Sequence, residues 1–265
     1  MDLGLKDATA VVVGGGRGMG FAAAQCLADD GARVALVGRT KDVLDRAAGE
    51  LADRGSPDAV GLVADTGDAA AVQQMFDEIG AQWDAELNIL INAVGPGSIG
   101  TFEDLTDEQW RAAFNDGVMG MVHCVRSALP LLRNAQWARI VNFSAHSTQR
   151  QTVILPAYTE AKAAVTSISK NLSLLLAPDE ILVNVVSPGS IASEALVGWA
   201  ESVGVDGGDP YALMSAIDKH FGHPAHMPRA GLPNEIGPVV AFLVSRRNSY
   251  MTGANINVDG GSDFT

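Results

Sequence analysis

Apolar residues come along this chain in short, nearly unbroken runs, each followed by a longer stretch where they recur every three or four positions. ATAVVV (8–13) leads through a glycine-rich turn into GFAAAQCLADDGA, and RVALV (33–37) leads into KDVLDRAAGELADRG. AVGLVAD (59–65) precedes AAAVQQMFDEIGAQW, and NILIN (88–92) precedes a long helical segment over 106–134. RIVNFS (139–144) is followed by a helix expected over 157–177, ILVNVVS (181–187) breaks at Pro188, and another helix begins near Asn234. Unbroken apolar runs read as strands buried on both faces, and the segments of helical period between them as their crossovers. The alternation predicts one α/β domain over residues 1–265, a doubly wound central parallel sheet with helices on both faces.

One stretch is out of rhythm. Residues 193–230 are rich in Gly, Pro and His and carry Ala195, Leu196, Val197, Trp199, Leu213, Met214, Ile217 and Phe221. A connection this long inside a compact domain is usually functional, and a substrate lid is expected here. Its apolar residues are read as lining for a substrate with a sizeable hydrophobic body.

Composition narrows the partners. The chain is 47% hydrophobic and 18% charged, with a net charge of −13. Phosphate backbones are bound by clustered Lys and Arg, so no nucleic-acid partner is expected. No charged and apolar leader opens the chain and no apolar run is long enough to span a bilayer, which together predict a cytoplasmic protein without a membrane partner. Cys26 and Cys124 are far apart within apolar helical stretches and read as buried apolar residues rather than a disulfide. His220, His223 and His226 stand at i, i+3 and i+6, but Pro224 interrupts the helix face and no other ligand completes a set, so no metal is expected.

The chemistry is announced at two places. VGGGRGMG (13–20) lies between the first strand and the first helix, so Gly14, Arg17, Gly18, Met19 and Gly20 form a turn whose backbone can approach a pyrophosphate at a helix N-terminus. Further on, Tyr158 and Lys162 are spaced i and i+4 and share one helix face. An ammonium there would lower the phenol pKa and fit the tyrosine for proton transfer near neutral pH. At the end of the second strand stands Gly38-Arg39-Thr40 with no carboxylate, and Arg17 brings a second guanidinium. That pairing suits a 2′-phosphate and predicts NADP(H) over NAD(H).

The spacing G14-x-x-x-G18-x-G20, taken with Y158-x-x-x-K162, resembles the short-chain dehydrogenase/reductase family, a Rossmann-type fold, from about residue 5 onward. LNILINAVG (87–95) is similar to the family's fourth-strand motif, retaining Asn92 and Gly95 but carrying Ala93 and Val94. VNVVSPGSIAS (183–193) is similar to the stretch after the sixth strand, and YMTGANINVDGG (250–261) to the closing strand. The resemblance implies that Asp65 meets the adenine, with Thr66 beside it in the cofactor site. It also implies that Asn92, Ala93 and Gly95 lie along the cofactor, and that Pro188, Gly189, Ile191 and Ser193 contact the nicotinamide. Tyr158 would be the proton donor or acceptor and Lys162 would hold the nicotinamide ribose. A homo-oligomer, tetramer or dimer, is implied too, with helices like 106–134 and 157–177 packed between subunits.

Two positions depart from the family pattern. Ala145 stands where the family has its oxygen-orienting serine, and Gly117 where it has an asparagine anchoring a water relay. If the strand continues past Ser144, residues 145 and 147 point the same way, which makes Ser147 the first substitute, Ser144 the second and His146 a remoter donor. The expected activity is NADP(H)-dependent interconversion of a ketone and a secondary alcohol on a hydrophobic small molecule. The alternative is a nicotinamide-binding protein of the same fold with little or no catalysis, and a different carbonyl-group reaction is a third reading.

Overall fold

The structure is a computed structural model that describes residues 2–222 and 224–262. The first strand, β1 (Thr9–Val13), is followed by α1 (Gly18–Asp29), β2 (Arg33–Gly38), α2 (Lys41–Arg54), β3 (Ala59–Val63), α3 (Ala69–Gln82) and β4 (Ile89–Asn92). Next come α4 (Asp107–Phe114) and α5 (Gly120–Asn134), separated by a π-helical bulge over Asn115–Met119, and then β5 (Arg139–Phe143). The second half continues with α6 (Pro156–Leu176), β6 (Leu182–Pro188), α7 (Glu194–Ser202), α8 (Pro210–Phe221), α9 (Pro233–Val244) and β7 (Asn255–Val258).

All seven strands run parallel in the order β3-β2-β1-β4-β5-β6-β7. Because successive side chains of a strand face opposite ways, β1 feeds two cores at once. Ala10 and Val12 join the layer under α1, α2 and α9, whereas Val11 and Val13 join the layer under α3, α5 and α6. The near-continuous apolar character of the strands follows from this double coverage. This is the doubly wound Rossmann-type sheet expected from the pattern.

The strand order reverses between β1 and β4, and a crevice forms there at the carboxyl ends because neighbouring crossovers leave to opposite faces. Two details shape that end of the sheet. The segment expected as one helix over 106–134 is broken by the bulge, and α6 begins with Pro156 at its first turn, where a missing N–H costs nothing. No helix among the described residues is long and apolar enough to cross a membrane.

The excursion after β6 has a small core of its own. Leu213, Met214 and Ile217 of α8 are buried in a small core with Ala200, and Leu196, Trp199 and Phe221 pack against it. The Trp199 and Phe221 rings lie 4.7 Å apart, and the edge of His220 meets Trp199 at 5.6 Å. Most of the apolar residues read as substrate lining are therefore spent on holding α7 against α8. Two amphipathic helices that leave the main domain need a core of their own, and the sequence signal of a greasy lid is the same in both cases.

Candidate active site

The glycine turn leaves β1 and enters α1 with Gly14 at φ +77°, a conformation that side chains with a Cβ rarely adopt. A Cβ on Gly20 would run into the carbonyl oxygen of Gly14, so the helix can pass this close to the turn only with glycine there. No side chain caps the first turn of α1, so its N–H groups have no capping partner. The cleft at the switch point has a volume of about 210 Å³. It brings together Gly14, Arg17, Arg39, Thr40, Asp65, Thr66 and Gly95, seven of the residues expected along a cofactor.

Several of these residues have specific jobs in the fold. Thr40 precedes α2 without capping it, so both its hydroxyl and the helix N-terminus remain available. The Asp65 carboxylate accepts a hydrogen bond from the Gly67 N–H at 2.9 Å. Thr66 is fixed through its carbonyl oxygen, 2.9 Å from His123 Nδ1. Arg17 is paired with Glu194 of α7 at 2.5 Å, whereas Arg39 has no ion pair among the described residues.

Other expected residues lie beside the cleft. Met19 packs on the core under α1, and Ala93 backs the glycine turn. The Asn92 amide donates to Asn142 on β5 at 2.8 Å, while its buried oxygen has no partner. At the end of β6, Pro188 is buried and the Gly189 N–H donates to Val258 at 3.1 Å. Ile191 bridges to Gly231, and the Ser193 hydroxyl accepts from the Leu196 N–H as the cap of α7.

Helix α6 carries Tyr158 and Lys162 one turn apart. The Lys162 ammonium is buried and donates to the carbonyl oxygens of Val94 at 2.9 Å and Phe143 at 2.8 Å, at the ends of β4 and β5. A Cβ on Gly95 would sit 2.8 Å from Lys162 Nζ, so glycine is what lets the β4 loop close over the lysine. The electrostatics differ from the expected depression of the phenol pKa. Burial pushes Tyr158 up to about 12 and Lys162 down to about 8, so both groups are biased toward their neutral forms. The ammonium is engaged by two carbonyls, with its nitrogen 5.9 Å from the centre of the tyrosine ring, and desolvation outweighs its attraction for a phenolate.

The three substitutes for the missing serine are placed differently. The strand ends at Phe143, and a short 3-10 turn over His146–Thr148 breaks the alternation that would have aligned residues 145 and 147. Ser144 is buried and points into the fold, donating to the Lys162 carbonyl at 3.0 Å and accepting from Thr166 at 2.7 Å. Its role is to fasten β5 to α6. Ser147 is buried as well and accepts from the Thr159 hydroxyl at 3.2 Å. His146 is half-buried, with Nδ1 3.2 Å from the Pro188 carbonyl oxygen.

At the second departure the space is filled. A Cβ on Gly117 would lie 2.9 Å from Pro96 Cδ and 3.0 Å from the Ala161 methyl group. Pro96, Glu194 and Arg150 are site-building residues that the sequence did not single out. Arg150 donates to the carbonyls of Pro224 and Ser262, both at 3.0 Å, joining the loop after β5 to the excursion and to the closing segment. Only Pro96 had a local signal, standing directly after the fourth-strand motif; the partners of Arg150 and Glu194 are remote in sequence.

Among the described residues, no group of three or more His, Cys, Asp or Glu side chains could hold a metal ion. His226 lies against Gly261, and His223 falls outside the described residues. Both cysteines are free thiols, and burial pushes Cys124 up to about 12.

Comparison with known proteins bears on this geometry. Residues 13–263 match a family model described as enoyl-(acyl carrier protein) reductase. The chain belongs to the short-chain dehydrogenase/reductase family. It is 30% identical over 257 residues to the oxidoreductase asL5 of Sarocladium schorii, covering 97% of this chain and 96% of that one. The crystal structure of L-sorbose reductase from Gluconobacter frateurii, complexed with NADPH and L-sorbose, superposes with a TM-score of 0.92 at 29% identity and covers 100% of both chains. An NAD+-bound xylitol dehydrogenase superposes with a TM-score of 0.86 at 25% identity, covering 98% of this chain and 100% of that one. Members of the family as similar as these thus carry either nicotinamide cofactor. The family is one of oxidoreductases that act on small molecules.

Proposed function

We propose that the protein is an NADP(H)-dependent reductase that interconverts a ketone and a secondary alcohol on a substrate with a hydrophobic body. The reading is carried by the Tyr158–Lys162 pair, one helical turn apart beside the cleft, with the lysine anchored to the ends of β4 and β5. NADP(H), when bound, supplies or accepts the hydride at its nicotinamide ring. The residues of the chain bind, orient and move the proton. The free N-terminus of α1 and the glycine turn suit the pyrophosphate, and Arg39 with Thr40 suits a 2′-phosphate. Lys162, still protonated at neutral pH with its pKa near 8, has a third N–H for a ribose hydroxyl. Tyr158, held protonated by burial, is in the form that donates to a carbonyl oxygen.

Support for a hydrophobic substrate moves from the lid core to the rim. Ile99 and Phe102 on the loop after β4 and Val153 on the loop after β5 are exposed apolar side chains. The two loops are joined by the Gly100 N–H donating to Ile154 at 3.0 Å. The excursion over α7 and α8 would close over this rim as a lid. Exposed Phe114, Leu174 and Leu175 on α4 and α6 support self-association as a tetramer or dimer.

A second reading, a cofactor-binding protein with weak or absent catalysis, is favoured by Ala145 and by the filled space at Gly117. Loss of NADPH absorbance with a panel of hydrophobic ketones and ketoses separates the two. Wild type should turn over, Tyr158→Phe should bind NADPH but lose turnover, and Ala145→Ser should turn over faster. A missing oxygen donor costs about 100–1000-fold, which bounds the gain. Full activity in Tyr158→Phe refutes the mechanism. Activity confined to Ala145→Ser favours the binding protein, and a preference for ketoses refutes the hydrophobic substrate.

A further inference from the structure

One ionic contact at the cleft is not explained by cofactor binding. Arg17 and Glu194, 65% and 66% exposed, pair at 2.5 Å although they stand 177 residues apart in the chain. Arg17 belongs to the turn that faces the phosphates, and Glu194 to the first turn of α7, the start of the excursion. A single guanidinium therefore ties the N-terminus of α7 to the wall of the dinucleotide cleft. Arg39, which also lines that cleft, carries no such carboxylate.

We infer that Glu194 is a specificity-determining residue that acts through Arg17. Held by the Glu194 carboxylate, the Arg17 charge is offset, and selection for a 2′-phosphate rests on Arg39 alone. A 2′-phosphate engages Arg17 only by taking it from Glu194, so phosphate binding and the attachment of α7 compete for one cation. By linkage each weakens the other by the same factor. Both side chains are mostly exposed, so the competition is modest and screened by salt. NADH has no 2′-phosphate to take Arg17 from Glu194, and the pyrophosphate it shares with NADPH cancels in the comparison of the two.

The inference rests on the NADP(H) reading, and binding measurements keep the two apart. Dissociation constants for NADPH, NADH and 2′,5′-ADP would be measured by calorimetry for wild type, Glu194→Gln, Arg17→Gln and the double variant, at low and high ionic strength. Glu194→Gln should bind NADPH and 2′,5′-ADP about two- to fivefold more tightly relative to NADH, and the gain should vanish in the Arg17→Gln background and shrink in high salt. Equal changes for both nicotinamides would mean that Glu194 merely supports the lid helix, and would overturn the inference. An unchanged NADPH-to-NADH ratio overturns it as well, leaving the cofactor reading intact. Failure of wild type to bind any of the three overturns both.

Discussion

Gly117→Asn, which would restore the family's amide, is expected to cost stability instead of repairing a relay. A Cβ at this position would stand 2.9 Å from Pro96 Cδ and 3.0 Å from the Ala161 methyl, closer than side-chain carbons normally approach. Neither neighbour yields cheaply, because Pro96 is a buried ring and Ala161 is buried on α6, the helix that positions Tyr158 and Lys162. Overpacking of this kind costs about 1–3 kcal/mol, and the better helix propensity of Asn over Gly returns only about 0.3 kcal/mol. At about 2 °C per kcal/mol for a chain of this size, the melting temperature should fall by about 1–5 °C. Thermal unfolding by circular dichroism, with turnover measured alongside, reads both effects. Pro96→Ala opens one side of the space, so the double variant should be more stable than the sum of the singles predicts by at least about 0.5 kcal/mol. A Gly117→Asn protein that melts with wild type and turns over faster would refute the argument, as would strict additivity of the pair.

Ser144→Ala should lower stability by about 1 kcal/mol through loss of its buried hydrogen bonds, with turnover per folded molecule retained. A loss of turnover beyond tenfold with unchanged melting would instead put its hydroxyl on the substrate. Lys162 gives a pH signature, because its folded pKa near 8 lies below the unfolded value near 10.5. Between these values the unfolded chain binds more protons, so the lysine's contribution to stability rises with pH across that window and is flat below it. Tyr158 acts with the opposite sign between about 10 and 12, where the folded chain keeps a proton that the unfolded chain has lost. Unfolding free energies of wild type against Lys162→Met from pH 7 to 10 isolate the lysine effect, and a difference that falls with pH refutes it.

The strands were readable because burial on both faces leaves an unbroken apolar run, and β1 shows why: its alternate residues fill different cores. The glycine turn was readable because only glycine tolerates the φ of Gly14 and the close approach at Gly20. The pairing of Tyr158 with Lys162 was readable because i and i+4 on a helix are neighbours whatever the rest of the chain does. The packing of the 193–230 excursion was not readable from composition. Leu213, Met214 and Ile217 look alike whether they face a substrate or each other, and the partner is set by how α7 and α8 fold back.

The sequence by itself determined the α/β alternation, the glycine turn and the pair at 158 and 162, because each rests on spacing within a single element or its turn. What the tertiary structure decided are contacts between distant segments. The fate of Ser144 depended on where β5 stops and which side of α6 it meets. The space at Gly117 was decided by a proline from another loop. The state of Tyr158 was decided by burial, which reversed the shift expected from its neighbour alone. The engagement of Arg17 was decided by a glutamate 177 residues away. Charge, burial and free volume at a site are sums over everything packed around it, and a chain read one stretch at a time does not contain those sums.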